Sequence, residues 1–392
     1  MRHSRPRSRW ANLATVFLVA CLAVALAACG SSSSSGSSGG GTAGTSSATA
    51  AGSQDNVNLT ALQAVVKAAE VAPPTIQSAA FGKFTPKPNG SLYLVSCDLT
   101  IVGCSRLAQG MKAAAQAIGY KFQVCDTGST ETQMLGCFTN AVNAKPSAVI
   151  VDGNSAKVAG AGYAEVKKAG IPIVGAFTSN PQGTTNAEVA DTTCSAEGKT
   201  LADAVIVGAN GKPDTLFFTE TSQECDVQRS AAFKAEYQKQ CPACAIKFIQ
   251  FDYATMQQTL PSQVQAALVQ NPGTNWVVGV FDQPASIAVT EIQEAGLAGK
   301  IKVAGMDGVP ANVELIRKGQ VQVYDLALCQ QEDAWAAVDA AARIYSGAKV
   351  PFSINVSTYL ISPQNIGSIP ADNVWPGPVN YTGQFQQLWN KS

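Results

Sequence analysis

Histidine is almost missing from this sequence of 392 residues, because the one copy is His3. Beyond that point the chain cannot form a Ser–His or Cys–His nucleophilic site, or bind a metal ion through imidazole. No Gly-x-Gly-x-x-Gly follows the first predicted strand, where Cys97 and Asp98 stand, and no Gly-x-x-x-x-Gly-Lys-Ser/Thr loop is present to bind phosphate. We therefore predict no catalytic residue, no metal and no cofactor.

The sequence also lacks an excess of positive charge. Its 27 basic and 27 acidic side chains give a formal net charge of zero. Four arginines lie in residues 1–28, which hold no acidic residue, so the remainder carries 23 − 27 = −4. Nucleic-acid-binding proteins usually have a basic surface or a basic helix-turn-helix segment, and neither is found here. We predict no nucleic-acid partner.

The first 28 residues have the pattern of an export signal. Four arginines precede an apolar run over residues 11–28, and small residues come directly before Cys29. The sequence Leu-Ala-Ala-Cys resembles the lipobox of bacterial lipoproteins, which implies cleavage before Cys29 and lipidation of this residue. The alternative is an ordinary signal peptide in which Cys29 is incidental. The lipobox predicts an extracytoplasmic protein, anchored by Cys29 to the outer face of the cell membrane.

Two further segments precede the main body of the chain. Residues 29–54 consist almost wholly of Ser, Gly, Ala and Thr, a composition that cannot bury a core. They predict a flexible tether with a reach of about 25–30 Å. Residues 55–90 form a predicted N-terminal extension, in which an amphipathic helix over residues 59–71 ends before Pro73 and Pro74.

Strands and helices alternate from residue 91 onward, most clearly in residues 275–333. There, two short apolar strands end at Asp282 and Asp307, and a helix follows each of them. Tandem βα units imply right-handed crossovers and a parallel sheet. Such sheets bind ligands outside the carboxyl ends of their strands, so both aspartates are expected to face one crevice. A chain of this length is expected to form two domains.

The same stretch contains the pattern V-F-D-x-x-A…A-G…I-x-V-A-G-M-D-G-V-P…I-x-K-G. This pattern resembles the C-terminal lobe of type I periplasmic solute-binding proteins, the ribose- and galactose-binding group. The resemblance implies an α/β fold of two Rossmann-like lobes with parallel, doubly wound sheets, joined by a three-segment hinge. The chain would cross between lobes near residues 191, 328–331 and 351–354. The implied lobes are residues 91–191 plus 330–353, and residues 192–329 plus 354–392.

The resemblance also implies a function in binding and not in catalysis. A monomeric protein would capture a small molecule, a sugar or a related compound, between its lobes and deliver it to the permease of an ABC importer. Two alternatives keep the same fold: a sensory protein that presents its liganded form to a membrane receptor, and a binder of a less polar or aromatic solute. A cysteine-based redox enzyme is a third alternative.

Position within the family implies which side chains contact the ligand. They follow strand ends in both lobes and are Asp98, Thr100, Ile101, Phe177, Thr178, Asp226, Arg229, Phe281, Asp282, Asp307 and Gln330. Helix capping is the alternative role for Asp282 and Asp307. A place in the core is the alternative for Phe177 and Phe281.

The sequence departs from the sugar-binding pattern at three places. Phe177-Thr178 stands where these proteins have an Asp-Arg pair, and Gly103-Cys104 stands where they have two aromatic residues. Their usual arginine of the second lobe falls near Val227, which leaves Arg229 as a displaced candidate. The crevice is therefore expected to be less polar than a usual pentose or hexose site.

Nine of the eleven cysteines remain when Cys21 and Cys29 are set apart. In an exported protein they predict up to four disulfides and one free thiol, although the sequence does not fix their connectivity. We expect Cys97 to pair with Cys104, Cys125 with Cys137, Cys241 with Cys244, and two among Cys194, Cys225 and Cys329 with each other.

The sequence Cys241-Pro-Ala-Cys244 has the spacing of a thioredoxin-like redox motif. A redox motif begins a helix, where the helix dipole lowers the pKa of the thiol. This one follows a predicted helix and precedes a predicted strand. A structural disulfide in a turn is therefore favoured over a redox site.

Overall fold

The structure is a computed structural model, and it describes residues 57–128 and 130–390. The predicted export signal, Cys29 and the tether of residues 29–54 lie outside the described residues. Within them, no helix is both long enough and apolar enough to cross a membrane.

Strands and helices alternate along the described chain. The strands are β1 (Ser91–Ser96), β2 (Lys121–Asp126), β3 (Ala148–Asp152), β4 (Ile173–Ala176), β5 (Ala187–Val189), β6 (Asp214–Thr219), β7 (Ala245–Gln250), β8 (Trp276–Gly279), β9 (Lys302–Asp307), β10 (Gln322–Leu328), β11 (Ser353–Ile354) and β12 (Thr358–Ile361). The α-helices are α1 (Leu59–Ala69), α2 (Val102–Ile118), α3 (Glu131–Ala144), α4 (Ala156–Lys168), α5 (Thr193–Gly208), α6 (Glu224–Gln240), α7 (Met256–Gln270), α8 (Asp282–Glu294), α9 (Pro310–Arg317), α10 (Gln330–Ser346) and α11 (Tyr381–Leu388).

The strands form two six-stranded sheets, in the orders β11-β5-β4-β3-β1-β2 and β12-β10-β9-β8-β6-β7. We call the first sheet with its helices lobe 1 and the second with its helices lobe 2. The paired strands run parallel, apart from β10 and β12, which are antiparallel. In each sheet the strand order reverses beside the first strand, as in doubly wound folds. The predicted α/β fold of two Rossmann-like lobes is confirmed.

The central strands β1, β3, β4 and β8 are covered on both faces, which explains their apolar runs. Successive side chains of a strand point to opposite faces. In β1, Leu92 and Leu94 accordingly pack into one core of lobe 1, whereas Tyr93 and Val95 pack into a second core with α3 and α4.

Three segments connect the lobes: β5 to α5, β10 to α10, and β11 to β12. The first two lie at the predicted positions. The third occupies residues 355–357 and not residues 351–354, because Ser353 and Ile354 pair with Glu188 and Val189 in the sheet of lobe 1. The three-segment hinge is thus present, and its last crossing comes later in the chain than predicted.

The last helix corrects the predicted lobe boundaries. Residues 354–392 are predicted in the second lobe, and β12 does belong there, but α11 packs on lobe 1. The ring of Trp389 stacks on that of Trp335 from α10, with 5.3 Å between ring centroids. Its Nε1 donates a hydrogen bond to Asp339 Oδ1 at 2.8 Å. The tail has no clear hydrophobic period, so the sequence did not reveal which lobe it covers.

The N-terminal helix α1 packs on the opposite lobe. Leu62 and Val66 lie one helical turn apart on its buried face and join the core of lobe 2. The side chain of Asn58 caps the helix by accepting a hydrogen bond from Ala61 N at 3.1 Å. The described part of the extension therefore belongs to the folded body.

The structure brings the sulfur atoms of four cysteine pairs to bonding distance: Cys97 with Cys104, Cys125 with Cys137, Cys194 with Cys225, and Cys241 with Cys244. Their Cα atoms lie 5.3–5.8 Å apart, a normal separation for disulfides. Cys241 directly follows α6 and Cys244 directly precedes β7, so this pair lies in a turn and lacks the helix N-terminus that the redox alternative requires. The oxidised state of the four pairs stays a prediction.

Candidate functional site

A cavity of about 90 Å³ lies between the two lobes, at the carboxyl ends of their strands. Its apolar wall consists of Ile101, Leu107, Phe177, Phe281 and Leu328. This is the position at which parallel α/β sheets bind ligands. A cavity needs roughly 10–15 Å³ to hold one water molecule. A cavity of about 90 Å³ therefore holds a solute of on the order of ten non-hydrogen atoms.

Most of the predicted ligand-binding residues reach this cavity. Those that line it are Ile101, Phe177, Asp226, Arg229, Phe281, Asp307 and Gln330. They come from both lobes and from the start of α10 at the hinge. Their contact with a ligand stays a prediction.

Three predicted residues lie outside the cavity because their polar atoms are used within lobe 1. Asp98 Oδ1 accepts hydrogen bonds from Thr100 N at 2.9 Å and from Thr100 Oγ1 at 2.7 Å, which stabilises the turn after β1. Thr178 is fully buried, and its hydroxyl donates to Glu188 Oε2 at 2.6 Å. These side chains therefore shape the loops after β1 and β4 and do not line the cavity.

Asp282 is also absent from the cavity wall, contrary to the prediction that it faces the same crevice as Asp307. It is the first residue of α8 and is 1% exposed. Its Oδ2 accepts a hydrogen bond from Val309 N, just before α9, at 2.6 Å. The carboxylate therefore caps the start of α9. Helix capping is the alternative role given above for Asp282, although the capped helix is α9 and not α8, to which Asp282 belongs.

Three polar residues of the wall were not predicted: Asp152, Gln223 and Tyr253. Asp152 is the last residue of β3, so the rule that selected Asp307 applies to it equally. Gln223 lies just before α6 and contacts Gly153 across the cleft. Gly153 has φ +72°, which favours glycine, and a β-carbon there would require the end of the Gln223 side chain to move.

Arg229 is the centre of the polar wall and is 3% exposed. Its Nε donates to Glu197 at 2.8 Å, its Nη1 to Asp226 at 3.4 Å, and its Nη2 to Asp307 at 2.7 Å. Nη1 also donates to Val280 O at 3.3 Å. One guanidinium group therefore holds three carboxylates from α5, α6 and the end of β9.

Burial shifts the pKa values of these groups. Desolvation raises the pKa of Glu197 to about 7, and it raises the pKa of Asp226 well above its ordinary value, although Arg229 opposes both shifts. Desolvation also raises the pKa of Asp307, against the attraction of Arg229. In lobe 1, burial raises the pKa of Asp152 to about 7. Of the groups that line the cavity, Asp152 therefore titrates near neutral pH.

Two residues of the wall have backbone conformations that side chains rarely adopt. Phe177 has φ 57° and Asp307 has φ 116°. Such conformations cost about 1–3 kcal/mol each and concentrate at ligand sites, where the surrounding structure holds them. Phe177 N donates to Val189 O at 3.0 Å, and Asp307 is held by Arg229. Both side chains are thereby directed by the backbone toward the cavity that they line.

The lobes contact each other beside the cavity. Arg106 of α2 donates through Nη1 to Gly308 O of lobe 2 at 3.3 Å, and through Nη2 to Gln331 Oε1 at 3.4 Å. Together with the contact between Gly153 and Gln223, this interaction brings the cavity walls together. The cavity therefore lies between two lobes that contact each other at its side.

Comparison with known proteins identifies the architecture. The periplasmic binding protein domain family matches residues 93–349, well over half of the chain. None of the curated proteins that were compared with the chain matches it.

Solved structures share the fold at low sequence identity. A 5-methylthioribose transporter solute binding protein from Thermotoga lettingae is 18% identical, with a TM-score of 0.70, and the match covers 79% of this chain and 100% of that one. An ABC sugar transporter subunit from Rhodobacter sphaeroides is 20% identical, with a TM-score of 0.65 and coverages of 70% and 99%. A glucose-galactose binding protein from Geobacillus stearothermophilus is 20% identical, with a TM-score of 0.65 and coverages of 71% and 99%. The chain therefore belongs to the periplasmic binding protein domain family and has the two-lobed type I fold.

Proposed function

We propose that the protein is a lipid-anchored, extracytoplasmic solute-binding protein that captures a small sugar-like compound between its lobes and delivers it to an ABC importer. The observation that carries this proposal is the cavity, whose polar wall combines Asp152 from lobe 1 with Asp226, Arg229 and Asp307 from lobe 2. Neither lobe forms this wall alone, so ligand binding and lobe closure are coupled. The closed, liganded form is then the species that a permease recognises.

The chemistry of the wall suits a polar ring or chain with an apolar face. Carboxylates and the amide of Gln330 offer hydrogen bonds to hydroxyl groups, and Phe177 and Phe281 offer aromatic faces. The relatives of known structure include proteins described as binding 5-methylthioribose, glucose and galactose, which supports a sugar-like ligand here. The protein acts as a monomer in this proposal, and it binds without transforming the solute.

The test combines a ligand screen with a measurement of shape. The panel contains ribose, glucose, sorbitol, the amine 1-amino-1-deoxysorbitol and the acid gluconate. A ligand present at about 100 times its Kd stabilises the native state by about 2.7 kcal/mol, which raises Tm by several degrees. Small-angle scattering should then show a smaller radius of gyration with that ligand than without it. A panel that changes neither Tm nor the radius of gyration contradicts the proposed function.

The anchor is tested separately. We expect Cys29→Ala to move the protein from the membrane fraction to the soluble fraction, because a lipid can no longer be attached. Circular dichroism and Tm should be unchanged, since a Ser- and Gly-rich segment contributes no core. Cys21→Ala, which changes the other cysteine of the N-terminal region, is the control and should stay membrane-bound. A Cys29→Ala protein that remains with washed membranes would place the anchor elsewhere.

The sensory alternative shares every feature of this site. In that case the liganded form would bind a membrane receptor in place of an importer. Affinity capture on the closed, liganded protein distinguishes them by the partner recovered, a permease or a receptor.

A further inference from the structure

Carboxyl groups outnumber basic side chains around the cavity. Among the described residues that line it, Asp152, Asp226 and Asp307 are acidic, and Arg229 is the single lysine or arginine. Glu197 adds a fourth carboxylate directly behind the wall, because it accepts a hydrogen bond from Arg229. Even when Arg106, which donates to Gly308 O next to Asp307, is counted with Arg229, carboxyl groups outnumber basic groups.

Arg229 has little capacity left for an anionic ligand. Four of the five N–H donors of its guanidinium group are already used, by Glu197, Asp226, Asp307 and Val280 O. A carboxylate or phosphate on the solute would have to displace one of these partners and leave it buried without a counter-charge. The wall is therefore unsuited to an acidic solute.

The wall also offers an unused acceptor and aromatic faces. Gln330 Oε1 is buried and has no hydrogen-bond partner among the described residues, so a donor on the ligand would satisfy it. Tyr253 and Phe281 lie next to each other, with 5.8 Å between ring centroids, and Phe177 lines the side of lobe 1. Carboxylates combined with aromatic faces attract organic cations.

We propose that the solute carries a cationic amino group, in addition to the hydroxyl groups of a sugar or polyol, and that this group binds next to Asp152 and Asp226. The inference rests on the proposed function, because it concerns the same cavity. An ammonium group donates three hydrogen bonds, and its positive charge favours the ionised forms of the carboxyl groups next to it. Because Asp152 belongs to lobe 1 and Asp226 to lobe 2, a solute that contacts both would hold the lobes together.

The protonation of the two aspartates gives this inference a pH dependence. Burial raises the pKa of Asp152 to about 7, so this group is about half protonated at neutral pH. Burial also raises the pKa of Asp226 well above its ordinary value, so ionisation of both groups is disfavoured in the empty cavity. A bound ammonium favours their charged forms and expels their protons. Affinity for an amine with an ordinary high pKa should therefore increase from pH 6 to pH 8.

The test uses two matched pairs of probes that differ in one group: sorbitol with 1-amino-1-deoxysorbitol, and glucose with glucosamine. In titration calorimetry on the purified protein at pH 8, the amine of a pair should bind at least tenfold more tightly than its neutral counterpart. Binding of 1-amino-1-deoxysorbitol should weaken by severalfold at pH 6. Gluconate, the acidic probe, should not bind.

Variants locate the charged group. We expect Asp152→Asn and Asp226→Asn each to remove most of the preference for the amine. Asp372→Asn changes an exposed carboxylate of the tail and should keep the preference intact. If Asp226→Asn fails to fold, as judged by circular dichroism, Asp152→Asn alone tests the inference. Asp152 is not one of the carboxylates that contact Arg229, so this change leaves those ion pairs in place.

The outcomes separate the two proposals. Equal or tighter binding of sorbitol or glucose than of the matching amine overturns the inference and leaves the solute-binding function intact. A preference for amines that Asp152→Asn does not reduce also overturns the inference, because the cation would then bind elsewhere. Absence of binding by every probe, neutral, cationic or acidic, contradicts the inference and the proposed function together.

Discussion

Replacing Arg229 with methionine is expected to lower the free energy of unfolding by about 3–5 kcal/mol, the usual effect of breaking a buried ion pair. Methionine has a similar length, so the loss reports charge more than packing. Glu197, Asp226 and Asp307 would lose the guanidinium group that contacts all three of them. Urea unfolding followed by circular dichroism measures the difference.

A matched control comes from an exposed ion pair on α6, the helix that carries Arg229. Lys239 contacts Glu236 at 3.1 Å, but its side chain is 69% exposed. Lys239→Met is therefore expected to change the free energy of unfolding by less than about 1 kcal/mol. Similar losses for the two variants would show that the buried position of Arg229 has no special importance.

The difference in the free energy of unfolding between wild type and Arg229→Met should depend on pH. The ionisation of the buried carboxyl groups determines its direction. In the folded protein the pKa values of Glu197 and Asp152 are raised to about 7, above their unfolded values. The folded state therefore binds more protons than the unfolded state between about pH 4 and pH 7, and stability is lost as pH rises through about 7. Wild type should be more stable at pH 5 than at pH 8.

Removing Arg229 takes away a charge that favours the ionised carboxylates, so their pKa values should rise further. The stability deficit of Arg229→Met should accordingly be smaller at pH 5, where the carboxylates carry protons, than at pH 8. Unfolding curves of both proteins at the two pH values test this difference. An equal deficit at both values would assign the effect to packing of the arginine side chain.

The strands, the helices and part of the cavity wall could be predicted from local sequence patterns. Short apolar runs that alternate with helical periodicity are enough to indicate parallel strands, and the rule on strand ends placed Asp307 at the cavity. The same rule applies to Asp152, which ends β3, but the family resemblance directed attention to other positions. Asp282 satisfies the rule too, yet its carboxylate binds Val309 N, which depends on where α9 begins.

The remaining features depend on contacts between residues that are distant in the chain. Arg229 contacts Glu197, 32 residues earlier, and Asp307, 78 residues later, and no local pattern relates these positions. The return of Trp389 to Trp335 on lobe 1 is another such contact. Burial then decides the protonation of these groups, and burial is a property of the folded chain.

The contact with Arg229 also determines how the role of Asp307 is best tested. Alanine at this position would remove one partner of Arg229 and place a β-carbon at φ 116° without the polar contacts that hold Asp307 there. A loss of affinity would then be mixed with a loss of stability. Asparagine keeps the size, can accept a hydrogen bond from Arg229 and tolerates positive φ better than most residues. Glu197 and Asp226 still balance the guanidinium charge.

We therefore expect Asp307→Asn to weaken ligand binding by at least tenfold, while Tm of the empty protein moves by only a few degrees. A charged acceptor in a desolvated cavity contributes roughly 1.5–3 kcal/mol, and tenfold corresponds to about 1.4 kcal/mol. Calorimetry with the tightest-binding probe of the solute panel measures the change. Asp98→Asn is the matched control, because Asp98 follows β1 but does not line the cavity. Equal affinities of the two variants would mean that Asp307 serves the fold by holding Arg229 and does not contact the solute.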